Sequence, residues 1–467
     1  MWYYYYLISG LYSIHSGVMG SMKCCSDSNT FVPIVEFYAG KSIFITGGTG
    51  FIGKVIIEKL IYSCEGIDKI YVLLREKKDL KRLANSVLKL QLFSRIKKKN
   101  PQHLNKIVPV IGDIEVPELG LKFKDEQILI NKVSVVIHSA ATIKFNEPLS
   151  IALNTNVEGT KRVLDLCHKM KNIQAFVHIS TAFSNTDREV VEEIVYPPPA
   201  RLGDVYRKLA LHGDDDYQTK IILNGRPNTY TFTKSLAETY VEENRGNIPT
   251  ALIRPSIVTA SSMEPLVGWV DNWNGLTGIL VAICKGMLRA IVGRGSNAID
   301  IIPVDYVSNL VITAATRCVR YSSYIVIKGK CLPQHYENLY AHKIACVLFP
   351  MIIFTTYKWI AGIVCFIFQT IPAYILDIWL RAKGKRPRYA KFNTKLLTLR
   401  KLFDYFTSRT WDLRSDNARA LSASLCASDR LRFPCDPTDI IWQEYVLNYC
   451  KGIKQYLLCN TNSKSLI

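Results

Sequence analysis

The chain has 467 residues, with 59 Lys and Arg against 39 Asp and Glu, a net charge of +20, and 48% hydrophobic residues. This composition excludes disorder over most of the chain, and the length implies about two or three domains whose cores need no disulfide staples. The 13 cysteines include no C-x-x-C pair, so neither a metal site nor a redox pair is expected, and the thiols fit a reducing, intracellular setting. The positive excess fits nucleic acid, an anionic membrane surface or a polyphosphate ligand.

Met1 to Phe37 opens with a tyrosine run and has no basic residue before Lys23. It fits a secretory signal poorly and is expected to be an unstructured extension or a start placed too early, with a membrane anchor as the alternative reading. Lys41–Thr46 is a short apolar run ending in glycines, and Phe51–Ser63 carries helical periodicity. Lys69–Leu74 predicts a second strand, Leu80–Phe93 a helix, and Ile107–Ile111 and Val133–His138 two more strands. Pro148–Met170 predicts a helix, Ala175–Ser180 a strand, Thr229–Asn244 a helix and Thr250–Ile253 a strand. Strands apolar on both faces, alternating with helices, predict an α/β fold with a Rossmann-type doubly wound parallel sheet.

Thr46-Gly47-Gly48-Thr49-Gly50-Phe51-Ile52-Gly53 lies between the first strand and helix. Gly48, Gly50 and Gly53 satisfy G-x-G-x-x-G, and Gly47, Gly50 and Gly53 satisfy G-x-x-G-x-x-G. Either register supplies a tight turn, close backbone approach to a pyrophosphate, and a helix N-terminus aimed at it. Arg75 ends the second strand, where a guanidinium suits the extra phosphate of NADP. Glu76 follows it, and a solvated loop charge is the alternative reading.

Tyr-x-x-x-Lys occurs at Tyr230/Lys234 and at Tyr324/Lys328. The second lies in a β-type run, where such residues stand ~13 Å apart. The first opens a helix, where they share a face. A nearby ammonium is expected to lower the Tyr230 pKa toward neutrality and make it a proton donor beside a hydride acceptor. Ser180-Thr181, just past the strand AFVHIS, offers a hydroxyl for a developing oxyanion, or simple strand termination.

These segments resemble the extended short-chain dehydrogenase/reductase superfamily. Within it, the chain is similar to the alcohol-forming fatty acyl-CoA reductases, especially the insect branch, from about Tyr38 to Leu458. The resemblance rests on the glycine turn, His138-Ser-Ala-Ala-Thr142, Asn156-Val-Glu-Gly-Thr160, His178-Ile-Ser-Thr-Ala182 and Tyr196-Pro-Pro-Pro199. It extends through Gly225-Arg-Pro-Asn-Thr-Tyr-Thr-Phe-Thr-Lys234, Ile253-Arg-Pro-Ser-Ile-Val258, Gly268-Trp-Val-Asp-Asn272 and Ile302-Pro-Val-Asp305. It implies an NADPH site formed by Thr46, Gly47, Thr49, Gly50, Phe51, Ile52, Gly53, Arg75, Asp113, Ala140, Ala141, Tyr230, Lys234, Pro255 and Ser256. It also implies catalysis by Thr181, Tyr230 and Lys234, with Thr181 matching the family's hydroxyl position better than Ser180. The implied reaction reduces a long-chain acyl-CoA through a bound aldehyde to a fatty alcohol, releasing coenzyme A and consuming two NADPH. The implied setting is the cytosolic face of an intracellular membrane, peroxisomal or endoplasmic-reticulum.

Ala345–Leu380 is strongly apolar, with Lys358 and Asp377 its only formal charges. Trp359–Leu380 is 22 residues, long enough to cross a bilayer at about 1.5 Å per residue. Gln369, Pro372 and Asp377 argue instead for a buried or membrane-surface helix pair. Arg381–Lys401 then carries nine basic residues and no acid, which favours anionic lipid. Ser322–Tyr357 departs from the family pattern by its shortness. The expected organisation is therefore an extension at 1–37, a cofactor domain at 38–320, a connector at 321–344 and a mostly helical, membrane-associated C-terminal domain at 345–467. The competing readings are another reductive enzyme of the superfamily, such as a sterol dehydrogenase or epimerase, and a non-enzymatic scaffold. Nucleic acid is disfavoured because the basic residues are not interleaved with an aromatic platform.

Overall fold

Runs of five or six residues with no polar face must be covered on both sides, and here they are. The computed structural model describes residues 32–75, 91–297, 299–321, 324–329 and 352–458. β1 (Ser42–Thr46), β2 (Ile70–Leu74), β3 (Ile107–Ile111), β4 (Val133–His138), β5 (Ala175–Ile179), β6 (Thr250–Pro255) and β7 (Tyr324–Gly329) form one sheet. All its pairs are parallel, in the order β7-β6-β5-β4-β1-β2-β3. The order reverses between β1 and β4, where Ile45 pairs with Ile137 and Thr46 with His138.

The helices that carry the argument are α1 (Ile34–Tyr38), α2 (Phe51–Ser63), α3 (Gly159–Lys169), α4 (Thr229–Asn244) and α5 (Leu276–Cys284). They continue with α6 (Val304–Tyr321), α7 (Lys358–Ala382), α8 (Tyr389–Thr407) and α9 (Trp442–Gly452). Alternate strand residues face opposite cores. Ile43 and Ile45 of β1 join α2 and α6 in one core, whereas Phe44 joins α3 and α4 in the other. Helices on both faces of a parallel sheet make this a doubly wound Rossmann-type fold.

Three short pairings lie outside the main sheet, the first two tying the C-terminal region to earlier chain. Ile353–Thr355 pairs with Ala290–Val292, Asp412–Leu413 with Val190–Val191, and Ile301–Pro303 with Ile257–Thr259. α9 closes a separate core over the last of these, with Tyr445 donating to the Ala260 carbonyl (2.8 Å).

The structure differs from the sequence reading at three places. The last residues of the supposed extension 1–37 are ordered: Ile34 and Tyr38 of α1 are fully buried, and the Ile34 N–H donates to Asp429 (3.0 Å). Apolar residues before β1 dock because the far end of the chain supplies their partners. Tyr324–Gly329, read as part of the connector 321–344, is the seventh strand, paired with β6 over its whole length. Gln91–Phe93, the end of the expected helix, is a 3₁₀ turn. Residues 80–90 of that helix and positions 330–351 lie outside the described residues.

The Tyr38 hydroxyl donates to the Ile312 carbonyl (2.9 Å) inside the main core. Tyr38→Ala should therefore destabilise the protein by about 3–5 kcal/mol in urea unfolding. Tyr38→Phe should cost only about 0.5–1.5 kcal/mol, the net worth of one hydrogen bond, because the Ile312 carbonyl keeps its backbone bond within α6.

Candidate active site

Because every strand of the sheet is parallel, every strand ends on the same edge. The loops after β3, β2, β1, β4, β5 and β6 follow one another along it. They carry Asp113, Arg75, the glycine turn, Ala140 and Ala141, Thr181, and Ser256 in that spatial order. The sheet thus gathers the predicted residues, which span more than a hundred positions of sequence, beside the switch point, where such folds bind ligands.

The glycine turn is built for close approach. Gly47 has φ +71°, and a Cβ there would stand 2.7 Å from the Ala140 nitrogen. A Cβ on Gly53 would stand 2.3 Å from the Gly47 carbonyl oxygen. Gly47 and Gly53 are thus both backbone requirements, whereas a Cβ on Gly48 would meet the Val72 side chain. This favours the Gly47/Gly50/Gly53 register. α2 begins at Gly50 with no side-chain cap and no acid in its first turn. Its first N–H groups and partial positive charge suit a pyrophosphate. Ser256, 5% exposed, holds a buried hydroxyl oxygen without a hydrogen-bond partner at the other end of the row. A cradle that a Cβ would fill and an orphaned hydroxyl beyond it both fit a bound dinucleotide.

Of the other predicted cofactor residues, Arg75 is exposed at the end of β2, and Asp113 caps its own loop by accepting from the Glu115 N–H (3.0 Å). Phe51 stacks on Trp269 (5.5 Å), and Ile52 is half-buried. Thr49 is buried, as is Thr46, whose side chain braces the site from behind. The Ala140 N–H donates to Thr46 Oγ1 (3.2 Å), which lies 2.7 Å from His138 Nδ1. His138 Nε2 lies 3.0 Å from Thr160 Oγ1, and Thr160 donates to the Asn156 carbonyl (2.7 Å). With Thr160's proton so used, His138 must donate from Nε2 and accept at Nδ1, and Thr46 supplies that proton. Burial, with Lys234 adding to it, lowers the His138 pKa to about 3, so the neutral ring this chain needs is the one present.

The catalytic group converges on β5 and α4. Asn228 caps α4 by accepting from the Thr231 N–H (2.9 Å), which sets Tyr230 in the first turn and Lys234 one turn later. Thr181, just after β5, is a hydrogen-bonding neighbour of the Tyr230 phenol and accepts from the Phe183 N–H (3.2 Å). The Ser180 hydroxyl instead donates to buried Glu238 (2.5 Å). Of the two candidate hydroxyls, the structure thus brings Thr181 to Tyr230 and commits Ser180 elsewhere. The second Tyr-x-x-x-Lys match lies on strand β7, so its members do not share a helical turn.

The expected lowering of the Tyr230 pKa does not occur. Burial pushes the phenol up to about 12, Glu238 adds to this, and only the hydrogen bond with Thr181 opposes it. Lys234 instead donates to the Ile179 carbonyl (2.8 Å), and burial, partly offset by Glu238, lowers its pKa to about 8. An ammonium has three donors, so two remain for other partners.

Sequence reasoning missed the supports behind these groups. Arg254, fully buried at the end of β6, donates to Glu238 through Nε (3.0 Å) and Nη2 (2.7 Å) and to the Ile194 carbonyl (2.8 Å). Its one available signal was a charge inside an apolar strand, which demands a partner. Asn156 sits in a π-turn, Asn154–Glu158, and accepts from the Thr142 N–H (2.9 Å) while donating to Thr233 (3.0 Å). It fixes the loop after β4 against the residue next to Lys234.

An apolar cavity opens beside this group. Phe183, Ile257 and Phe406 line it near the ends of β5 and β6, and Leu288, Ile291 and Leu396 line it further along α8. Phe145 links the two regions, lying 6.0 Å from Tyr230 and 5.6 Å from Phe406.

Comparison with known proteins agrees with this geometry. Two family profiles, both described as male sterility protein, match residues 45–311 (the NAD-binding profile) and 368–460 (the Sterile profile). Fatty acyl-CoA reductase 1 of Xenopus laevis is 36% identical over 450 residues, covering 91% of this chain and 86% of its own length. Fatty acyl-CoA reductase 1 of Homo sapiens is 35% identical over 451 residues, with the same shares.

The chain belongs to the fatty acyl-CoA reductase family.

It is therefore an oxidoreductase with a nicotinamide-cofactor site. Fatty acyl-CoA reductase 2 of Mus musculus is 34% identical over the same 91% of the chain. Among solved structures, the terminal R domain of the myxalamid biosynthetic pathway superposes with a TM-score of 0.60 at 20% identity, covering 90% of this chain and 92% of its own. The reductase domain of a non-ribosomal peptide synthetase from Mycobacterium tuberculosis gives 0.57 at 14% identity, over 89% and 92%. Both share the fold.

Glu238→Ala would leave the Arg254 guanidinium buried without its acid. It should lower stability by about 3–5 kcal/mol in denaturant unfolding.

Proposed function

We propose that this fatty acyl-CoA reductase uses NADPH to convert long-chain acyl-CoA to fatty alcohol through a bound aldehyde, releasing coenzyme A. The observation that carries this reading is the Thr181–Tyr230 pair on the strand edge that holds the dinucleotide cradle, joined through Phe145 to the wall of an apolar cavity. Arg75 at the end of β2 supports the phosphorylated cofactor. Residues 38–320 together with β7 are assigned to cofactor binding and to part of the acyl cavity, and the C-terminal part 345–467 to the rest of that cavity.

The bound cofactor supplies hydride, one equivalent for the thioester and a second for the aldehyde. This chain's residues do the rest. The Thr181 and Tyr230 hydroxyls stabilise the oxyanion formed on the carbonyl oxygen when the carbonyl carbon is reduced. That oxyanion collapses with loss of the thiolate of coenzyme A, and Tyr230 protonates the final alkoxide. A phenol near 12 is still a far stronger acid than water at ~15.7, so it can donate to an alkoxide without being drawn toward neutrality. Lys234 holds the cofactor ribose and the Tyr230 side. The cavity takes the acyl chain, its apolar lining fitting an apolar ligand. The enzyme is assigned to the cytosolic face of an intracellular membrane, peroxisomal or endoplasmic-reticulum, a reading supported by apolar α7 and the basic run behind it.

Purified protein supplied with NADPH and acyl-CoAs of varied length should yield the matching alcohols, identified by mass spectrometry. Consumption of NADPH with aldehyde as the end product would overturn the alcohol-forming reading. Tyr230→Phe should lose ~10²–10⁴-fold in kcat. Thr181→Ala should fall with it, while Ser180→Ala should lower stability more than turnover.

The pH dependence follows from Lys234. Its ammonium is the binding form, and with a pKa of about 8 it is lost as the pH rises through that value. kcat/KM for NADPH should therefore decline above pH 8, and Lys234→Arg should abolish that alkaline limb whatever its residual rate, because a guanidinium does not titrate there.

A further inference from the structure

We propose that α7 is an in-plane anchor that lies along the surface of an anionic membrane and does not cross it. This rests on the membrane association assigned above and decides its form. α7 is the one helix among the described residues long and apolar enough to span a bilayer. Its packing forbids that use. Ala361, Cys365, Gln369, Ala373, Asp377 and Leu380 are buried along almost its full length. A four-residue repeat drifts round a plain α-helix, and the π-turn Phe366–Thr370 takes up part of that drift, so one stripe keeps facing α8.

The docked stripe is held by polar bonds. Gln369 donates to Asn393 Oδ1 (2.7 Å), and Asn393 donates to Thr370 Oγ1 (3.0 Å). The Asp377 carboxylate accepts from the N–H groups of Arg388 (2.8 Å), Tyr389 (2.8 Å) and Ala390 (2.9 Å), and so caps α8. Turning α7 upright through a bilayer would break these bonds and leave Gln369 and Asp377 in hydrocarbon.

The opposite face is apolar and open. Trp359 is 65% exposed, Phe366 59%, Ile375 59% and Ile378 63%. A continuous apolar face of this kind on a soluble surface marks an interaction site. Charge identifies the occupant. Arg381, Lys383, Lys385, Arg386 and Arg388 are exposed at one end of α7, with Lys383 over the Trp379 ring (4.0 Å). At the other end, Lys358, Lys401 and Arg409 line an open cleft between α7 and α8. Cations at both ends of an apolar face, with aromatic side chains between, fit the interface of an anionic bilayer. The placement also serves the proposed reaction. Ala361 and Cys365 pack on Ala290 and Val292, whose neighbour Ile291 lines the acyl cavity, so that cavity lies one layer beneath the lipid-facing helix.

The test uses the full-length protein and sealed vesicles of phosphatidylcholine, with and without phosphatidylserine. Flotation should need phosphatidylserine and weaken with salt. The double variant Ile363→Glu/Ile375→Glu should reduce vesicle binding by about tenfold or more, while its NADPH-dependent turnover of a short, soluble acyl-CoA shows that it folds. Lys358→Cys and Lys383→Cys, probed singly with an impermeant maleimide added outside, should both label above the parent protein. Labelling at one end only means a span and overturns the proposal. Wild-type protein that reduces acyl-CoA but floats with neither vesicle also overturns it, leaving the reductase reading intact. Binding with both ends labelled but no turnover supports the anchor and sinks the reductase reading.

Discussion

A guanidinium withdrawn wholly from water has to be met by a carboxylate, and much of this site is arranged around that demand. Arg254 stands at the end of β6 and Glu238 on α4, and their two-point contact joins the sheet to the helix that carries Tyr230 and Lys234. Ser180 and Ser184 donate to the same carboxylate, which pins the start of the loop after β5. With Ser180 so committed, Thr181 is the hydroxyl left beside the phenol. A buried pair of this kind contributes little net stability compared with apolar packing, but its loss is costly. Its value lies in fixing where three elements meet.

The electrostatics of the group follow from the same burial. Neutral His138 works as a relay of hydrogen-bond polarity from the Ala140 N–H to the Asn156 carbonyl, coupling the loop after β4 to the π-turn. Lys234 is weakened as a base partner by desolvation, yet Glu238 keeps it within reach of protonation near neutral pH. Tyr230 stays a protonated acid throughout that range. The site thus favours a proton donor over a phenolate, which is the state a reduction of a carbonyl requires.

The positive charge that marks the composition divides by location. Nine basic residues lie in Arg381–Lys401, and several flank the exposed face of α7. Arg75 sits at the dinucleotide end of the strand row. The two concentrations of charge therefore lie at separate places on the molecule.

The alternation of apolar runs and helices was legible because strands buried on both faces cannot hide a polar side, and the glycine turn because no other residue tolerates its backbone. Tyr230 and Lys234 were legible because four-residue spacing on a helix is a local property. Which hydroxyl faces Tyr230, that Tyr324–Gly329 completes the sheet, that Arg254 meets Glu238, and that the phenol rises instead of falling were decided only in three dimensions. Each depends on burial or on partners far away in sequence, such as the 274 positions separating Tyr38 from Ile312. The same is true of α7: its sequence allows a span or a buried or surface helix, and only the polar stripe docked on α8 shows that one face already belongs to protein.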